Sequence, residues 1–166
     1  MPEPFADVLA ANEGYARGFA LRGLSGRAAK GLAVVTCIDT RIEPLAMLGL
    51  APGDAKILRN AGARVTDDVL TTLVVANRLL GVERVMVVAH TDCRMGAATE
   101  DELHEAIGAA GGPDTRSLSF AVGAGREETL RRDVQRIRSF PYLDGLEAAG
   151  FVYEVESGRL VPANPG

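Results

Sequence analysis

Two uninterrupted apolar segments constrain the fold of this chain more than any other feature of its sequence. Residues 32–36 and 84–89 are short and rich in valine, and they lack polar alternation. A strand with one face in water alternates apolar and polar residues, whereas a strand covered on both faces is a continuous apolar run. The two segments therefore predict buried strands of a sheet with helices on both faces, which is an α/β fold.

Helical periodicity and turn residues mark the segments that lie between and after these strands. The predicted helices are residues 42–48, the segment from the N-cap Thr66 to Gly81, residues 99–110 and residues 127–138. The other predicted strands are residues 55–58 and the two arms of a final hairpin, residues 151–155 and 160–161. Strands that alternate with helices imply a mostly parallel sheet with right-handed crossovers and flanking helices, in a single domain of residues 1–166. We expect its strand order to be 2-1-3-4, with an edge hairpin strand.

An amphipathic segment precedes the first strand. Within residues 4–21, apolar residues such as Phe5, Val8 and Phe19 recur at helical spacing. We expect an N-terminal helix of about residues 3–21 that packs outside the central sheet, on a partner subunit.

The charge balance and the N-terminal residues limit the kinds of partner. The formal net charge is -4 and the pI is about 5.2, whereas nucleic-acid binding needs concentrated Lys and Arg on one surface. The N-terminus lacks the positive charge and apolar region of a signal peptide, and no apolar stretch approaches the roughly 20 residues that cross a bilayer. We therefore expect a cytoplasmic protein with a small soluble substrate and no nucleic-acid or membrane partner.

Three residues of types that bind zinc lie at or just after the ends of predicted strands. Cys37 follows the first strand, His90 follows the third, and Cys93 lies three residues beyond His90. In α/β sheets, ligands bind outside the carboxyl ends of the strands where the strand order reverses, so Cys37 and His90 can meet there. A catalytic Zn²⁺ has three protein ligands and one open position, and these residues can provide the three.

Asp39 and Arg41 follow Cys37 at intervals of two residues, which places them on one side of an extended chain. Asp39 can either take the fourth coordination position or pair with Arg41 and accept a hydrogen bond from zinc-bound water. A structural Asp39–Arg41 ion pair, buried core cysteines and a thiol redox role are the alternatives. His104 lies on a polar helix away from this group, and we expect it at the surface rather than in a proton shuttle.

The spacing of these residues is similar to that of one enzyme family. Cys37-x-Asp39-x-Arg41 followed by His90-x-x-Cys93 resembles the signature of the β-class carbonic anhydrases, in particular a short bacterial subgroup with mycobacterial members. The resemblance implies one Zn²⁺ per chain on the two cysteines and the histidine, with Asp39 as a possible fourth ligand and catalytic roles for Asp39 and Arg41. The implied reaction is the reversible hydration of carbon dioxide to bicarbonate and a proton by metal-bound hydroxide.

The resemblance also covers a second loop and the assembly of the protein. Asn60, Ala61 and Gly62, after Arg59, look like the active-site loop of the family and are expected to line the substrate pocket. The resemblance further implies a homodimer or a dimer of dimers, with each site near the subunit interface and the N-terminal helix crossing onto the partner.

Two departures from the family pattern leave the substrate open. Arg94 and Met95 follow Cys93 where many members have glycines, and the glutamine that lines the pocket of plant-like members is absent. The alternatives are a carbonyl sulfide or carbon disulfide hydrolase on the same site, and a non-catalytic protein that binds zinc or bicarbonate. Two thiolate ligands cancel the charge of Zn²⁺, so we expect a higher pKa for its water than three imidazoles give, and activity that rises on the alkaline side.

Overall fold

A five-stranded sheet forms the centre of the structure, a computed structural model that describes residues 3–123 and 125–163. The strands are β1 (Leu32–Cys37), β2 (Ala55–Asn60), β3 (Arg84–His90), β4 (Glu147–Tyr153) and β5 (Leu160–Pro162). Their order is β2-β1-β3-β4-β5, in which β1 to β4 are parallel and β5 runs antiparallel to β4. The predicted α/β class and the order 2-1-3-4 with an edge strand are confirmed.

Helices flank this sheet along the described part of the chain. They are α1 (Ala6–Arg17), α2 (Pro44–Met47), α3 (Asp67–Leu80), α4 (Arg94–Ala97), α5 (Glu100–Ala109) and α6 (Arg126–Arg138), with short 3₁₀ turns at Glu3–Phe5 and Pro141–Leu143. Among the described residues, no helix combines the length and the apolar character that a bilayer span requires.

The boundaries of α3 follow directly from its sequence. The Thr66 side chain accepts a hydrogen bond from the Val69 N–H, and Asp67 and Asp68 lie in the first turn, where the helix dipole favours carboxylates. Gly81 ends the helix with φ of 75°, a left-handed conformation that glycine adopts at little cost. Both predicted boundaries of this helix are confirmed.

β4 is longer than predicted and is an interior strand of the sheet. It begins at Glu147 rather than at residue 151, and it pairs with β3 along its whole length. Its first half, Glu-Ala-Ala-Gly, consists of residues with weak strand propensity, so only the apolar second half stands out in the sequence. Gly150 suits its position because a Cβ there would lie 3.0 Å from the Leu130 Cγ of α6.

The N-terminal helix is shorter than predicted and exposes its apolar side. α1 ends at Arg17 instead of residue 21, because Gly18, a residue with low helix propensity, follows. No residue of α1 is buried, and Phe5 and Val8 are each 57% exposed. α1 therefore lies outside the hydrophobic core of its own chain.

The core lies on both faces of the sheet. Side chains alternate along β1, so Ala33 and Val35 join a large cluster with α3 and α6, while Leu32 and Val34 join a smaller cluster on the other face. Every residue of β1 is buried, as its unbroken apolar sequence predicts.

Candidate metal centre

The carboxyl ends of β1 and β3 bring the first two predicted ligands together. The two strands are parallel neighbours with Thr36 opposite Val88, and the Thr36 hydroxyl donates to the Val88 carbonyl at 3.1 Å. Cys37 is the last residue of β1 and His90 is the last residue of β3. Both side chains therefore lie at the same edge of the sheet, where ligands of α/β folds bind.

A sharp turn brings Cys93 to the same point. Asp92 has φ of 53°, in the left-handed region that residues other than glycine seldom adopt, and the chain turns there after β3. One ligand atom each from Cys37, His90 and Cys93 lies within 4.8 Å of the others. The cluster that the sequence predicts is present, and its composition is consistent with a metal site.

The hydrogen bonding of His90 fits a metal ligand. His90 is 2% exposed, and its Nδ1 lies 2.8 Å from the Thr91 carbonyl. A carbonyl only accepts, so Nδ1 is the donor, and in a neutral imidazole Nε2 then has a lone pair that can bind a metal ion. Among the described residues, nothing forms a hydrogen bond with this buried Nε2, and Asp39 Oδ2 is 3.9 Å away. A metal ion would satisfy Nε2, and a backbone carbonyl on the other ring nitrogen is typical of metal-binding histidines.

Arg41 holds Asp39 beside the cluster. Arg41 Nε and Nη2 donate to Asp39 Oδ1 and Oδ2 at 3.0 and 2.8 Å, and the Arg41 backbone N–H donates to Oδ1 at 2.9 Å. These side-chain and backbone hydrogen bonds hold the pKa of Asp39 well below its usual range, so its carboxylate is ionised at neutral pH. Arg41 Nη1 also donates to Asp92 Oδ2 at 2.7 Å, and the bonds to Asp39 and Asp92 raise the pKa of Arg41. Of the two arrangements open to Asp39, the structure shows the pair with Arg41.

Hydrogen bonds to the backbone tie the segments around Cys37 together. β2 extends to Asn60, two residues beyond its predicted end. Within that extension, Arg59 Nε donates to the Cys37 carbonyl at 2.9 Å, and Arg59 Nη2 donates to the Asp39 carbonyl at 2.7 Å. The Gly62 N–H donates to Cys37 Sγ at 3.3 Å. The turn after β2 therefore contacts a candidate ligand atom directly.

Asn60, Ala61 and Gly62, the residues predicted for the substrate pocket, form this turn. The Asn60 side chain pairs with the backbone of Arg64 in both directions: Nδ2 donates to the Arg64 carbonyl and Oδ1 accepts from the Arg64 N–H, each at 2.7 Å. Gly62 and Ala63 have φ of 83° and 58°, and two successive left-handed residues make the turn tight.

Two cavities reach His90 and Cys93. The first, of about 30 Å³, has room for on the order of two water-sized molecules. Its lining includes Gly62, Arg64, Met95, Leu130 and Asp133. The second, of about 380 Å³, is more open, and Arg94 and Arg126 form part of its wall. Solvent therefore reaches the cluster through the larger cavity, and the smaller one admits only small molecules.

Arg64 and Asp133 form a buried ion pair that the charge pattern of the sequence obscures. Asp133 is 3% exposed, and its Oδ2 accepts a hydrogen bond from Arg64 Nε at 2.7 Å. Asp133 stands among exposed charges in the sequence of α6, yet it lies three residues after Leu130 and four before Ile137, on the buried stripe of the helix. That spacing is the signal that could have revealed it.

His104 lies deeper than predicted. Its side chain is 10% exposed, its Nδ1 lies 2.9 Å from the Thr115 hydroxyl, and its ring packs against Phe120 with centroids 5.2 Å apart. The expected surface position is wrong because the segment after α5 folds back over the polar side of that helix, which the sequence of the helix alone does not indicate.

Known proteins are similar to this chain over large parts of its length. The family model for carbonic anhydrase matches residues 32–112, which include all three candidate ligands. β-Carbonic anhydrase 1 of Mycobacterium tuberculosis is 36% identical over 163 residues, which cover 96% of this chain and 97% of that protein. A carbon disulfide hydrolase of Acidithiobacillus thiooxidans is 30% identical over 149 residues, which cover 78% of this chain and 75% of that protein.

A solved structure shares the whole fold. The crystal structure of the carbonic anhydrase from Streptococcus mutans has a TM-score of 0.88 to this chain at 34% identity, and the match covers 96% of this chain and 97% of that one. Because identity at this level extends over almost the full length of this chain and of the carbonic anhydrases from M. tuberculosis and S. mutans, the chain belongs to the β-carbonic anhydrase family.

Proposed function

We propose that this chain catalyses the reversible hydration of carbon dioxide to bicarbonate and a proton, at a zinc site formed by Cys37, His90 and Cys93. The observation that carries the proposal is the convergence of the three ligand atoms within 4.8 Å of one another. Two sulfur donors and one nitrogen donor form a combination that Zn²⁺ favours. Membership of the β-carbonic anhydrase family supports carbon dioxide as the substrate.

The ligands determine the expected dependence of activity on pH. When bound, Zn²⁺ supplies a Lewis acid that lowers the pKa of water from about 15.7 toward ~7 where its ligands are neutral. Cys37 and Cys93, as thiolates, offset both positive charges of the ion. We therefore expect activity to rise on the alkaline side of neutrality.

Asp39 is assigned as the hydrogen-bond acceptor beside the reacting molecules, with Arg41 as its partner. An ionised carboxylate accepts hydrogen bonds and donates none, so Asp39 Oδ2 holds a proton of the attacking water and leaves an oxygen lone pair directed at carbon dioxide. Oδ2 lies 3.9 Å from His90 Nε2, which places it next to the ligand cluster. Arg41 bonds to both oxygens of Asp39 and so opposes rotation of the carboxylate toward the ligands.

The turn of Asn60, Ala61 and Gly62 is assigned to the substrate pocket. Gly62 lines the small cavity beside His90 and Cys93, and Asn60 keeps the turn closed through its two bonds to the Arg64 backbone. A cavity of about 30 Å³ admits a molecule as small as carbon dioxide and excludes large substrates.

Hydrolysis of carbon disulfide or carbonyl sulfide on the same site is the second candidate. The observation in its favour is the 30% identity to a carbon disulfide hydrolase over 78% of this chain. Met95 on the cavity wall also offers a polarisable thioether to a sulfur-containing molecule. A non-catalytic protein that binds zinc or bicarbonate is less well supported, because Asp39 would have to leave Arg41 to become a permanent fourth ligand.

One set of assays on the zinc-loaded protein tests these candidates. Stopped-flow measurement of proton release from carbon dioxide, from neutral to alkaline pH, runs beside measurement of sulfide release from carbon disulfide and carbonyl sulfide. Fast hydration that increases with pH supports the proposal. Dominant sulfide release would transfer the assignment to the hydrolases, and one zinc per chain with neither activity would support a binding protein.

The proposal includes a homodimer or a dimer of dimers in which α1 packs on the partner subunit. The apolar residues of this segment are all exposed: Phe5, Val8, Leu9, Tyr15 and Phe19 are each between 39% and 58% exposed. A contiguous apolar surface on a helix that buries nothing in its own chain is typical of an interface. A dimer would cover this surface.

A further inference from the structure

We infer that Asp133 is a positioning residue for the metal centre: it fixes the turn whose Gly62 N–H contacts Cys37 Sγ. The inference rests on the proposed metal site and adds to it a residue of α6, far from Cys37 in the sequence. Asp133 acts through the turn, so it is distinct from the ligands and from Asp39.

Asp133 binds the chain immediately after the turn. Its Oδ2 accepts hydrogen bonds from Arg64 Nε at 2.7 Å and from the Val65 N–H at 3.1 Å, and its Oδ1 accepts from Arg64 Nη2 at 3.2 Å. The side chains of Asp133 and Arg64 are 4% and 19% exposed. Three charge-assisted hydrogen bonds away from bulk water hold Arg64 and Val65 firmly to Asp133 of α6.

α6 is a fixed support for this contact. Leu130, Val134 and Ile137, on the same side of the helix as Asp133, are buried in the large core cluster. Arg136 adds a second connection, because it donates hydrogen bonds to the Val65 carbonyl and to Asp67. The end of the turn is thereby fixed to α6 through both the N–H and the carbonyl of Val65.

The beginning of the turn is fixed to β2, so the turn is held at both ends. Asn60 is the last residue of β2, and its side chain bonds to the backbone of Arg64. Between these ends, Ala63 has φ of 58°, a conformation that residues other than glycine keep only where the surroundings enforce it. Loss of the Asp133 contact would let this segment relax and move the Gly62 N–H.

The position of the Gly62 N–H matters because its acceptor is Cys37 Sγ, at 3.3 Å. A hydrogen bond stabilises negative charge on a thiolate, and so tunes how much charge the sulfur gives to a metal ion. A displacement of the turn would therefore alter the metal–thiolate bond, even with all three ligands present.

The test compares Asp133→Asn with the double variant Arg64→Met/Asp133→Leu. Asp133→Asn leaves Arg64 without its ionic partner, whereas the double variant replaces the pair by apolar residues and leaves no unpaired charge. Glu128→Gln is the matched control, because Glu128 also pairs with two arginines of α6 but its side chain is 35% exposed. Each protein is loaded with Co²⁺, and its thiolate-to-cobalt charge-transfer absorption, Co²⁺ affinity and urea unfolding are measured.

We expect both Asp133 variants to have a shifted charge-transfer band and about 10- to 100-fold weaker Co²⁺ binding, as is typical when a partner of a metal ligand is lost. Glu128→Gln should retain the native band and affinity. A double variant with native unfolding and an altered band supports positioning, since a purely structural role would leave the band unchanged.

A native band and native affinity in the double variant overturn the inference while the metal site itself stands. If Asp133→Asn does not fold, the double variant decides the question alone. Failure of the unaltered protein to bind Co²⁺ or Zn²⁺ would instead overturn the proposed function, and the inference with it.

Discussion

Arg41 Nε lies 3.0 Å from Asp39 Oδ1 and Arg41 Nη2 lies 2.8 Å from Asp39 Oδ2, in a bidentate pair that begins two residues after Cys37. Because the pair uses both carboxylate oxygens, Asp39 cannot rotate toward the ligand cluster without breaking two charge-assisted hydrogen bonds. In the proposed zinc site, this pair would keep Asp39 away from the fourth coordination position.

Arg41→Lys should reduce kcat/KM for carbon dioxide by roughly 10- to 100-fold without loss of zinc, the range typical for a partner of a metal site. Lysine keeps the positive charge but cannot form the two-point contact that fixes the carboxylate. Activity and metal content are measured together, with Thr40→Ala as the control, since Thr40 is exposed and lies between the paired residues. Full activity in Arg41→Lys would contradict the role of Arg41.

Cys37→Ser should weaken zinc binding by more than about 100-fold and abolish hydration. Loss of a ligand lowers metal affinity more than loss of a residue that only hydrogen-bonds to a ligand. Metal content after dialysis and the hydration rate are measured on the same sample, with Thr40→Ala again as the control. A Cys37→Ser protein that retains one zinc per chain would exclude Cys37 as a ligand.

The stability that Asp39 contributes should disappear only in strong acid. Hydrogen bonds from Arg41 lower the pKa of Asp39 in the folded protein, whereas an aspartate in the unfolded chain has a pKa of about 3.9. The contribution is therefore fully present above the unfolded pKa and is lost as the pH falls through the folded pKa.

Urea unfolding of the metal-free protein and of Asp39→Asn checks this expectation. The difference in unfolding free energy between the two proteins should be constant from neutral pH to about pH 5, and should shrink below about pH 4. A difference that stays constant from neutral pH down to about pH 3 would show that folding does not lower the pKa of Asp39.

Gly62→Ala should destabilise the protein more than Gly49→Ala. Both glycines have positive φ, 83° and 63°, so each substitution carries the cost of a left-handed alanine, about 1–2 kcal/mol. At Gly62 the new Cβ would also lie 3.0 Å from Met95 Cβ, whereas at Gly49 it meets nothing within 4 Å. We expect the close contact to add about 1–3 kcal/mol in urea unfolding, and equal costs at the two sites would contradict this packing.

Val8→Asp should convert the proposed dimer or dimer of dimers into monomers. The substitution places a charge on the exposed apolar side of α1, where a partner subunit would have to bury it. Light scattering coupled to size-exclusion chromatography measures the mass, and Glu13→Gln, an exposed change on the same helix, is the control. A native protein that is already monomeric would refute the interface.

The convergence of the three candidate ligands could be predicted from the sequence because it depends on simple geometry. Cys37 and His90 end two continuous apolar strands, and parallel neighbours place such ends at one edge of the sheet. Cys93 follows within one turn. These relations depend on strand identity and spacing alone, so no side-chain packing has to be known.

The contacts of Asp92 with Arg41 and of Asp133 with Arg64 could not be predicted in the same way. Asp92 reaches Arg41 only because its backbone is left-handed, and Asp133 meets Arg64 only because α6 packs beside the turn after β2. Contacts of this kind depend on how separate elements pack together. The predicted surface position of His104 is wrong for the same reason, since the segment that covers it comes later in the chain.

The outer strand β5 has a consequence for the behaviour of the protein at high concentration. It is three residues long and ends in Pro162, which has no N–H to donate to a further strand. A short edge with a proline is a poor template for the strand-by-strand growth that produces amyloid fibrils. Overproduced protein should therefore resist fibril formation from this side of the molecule.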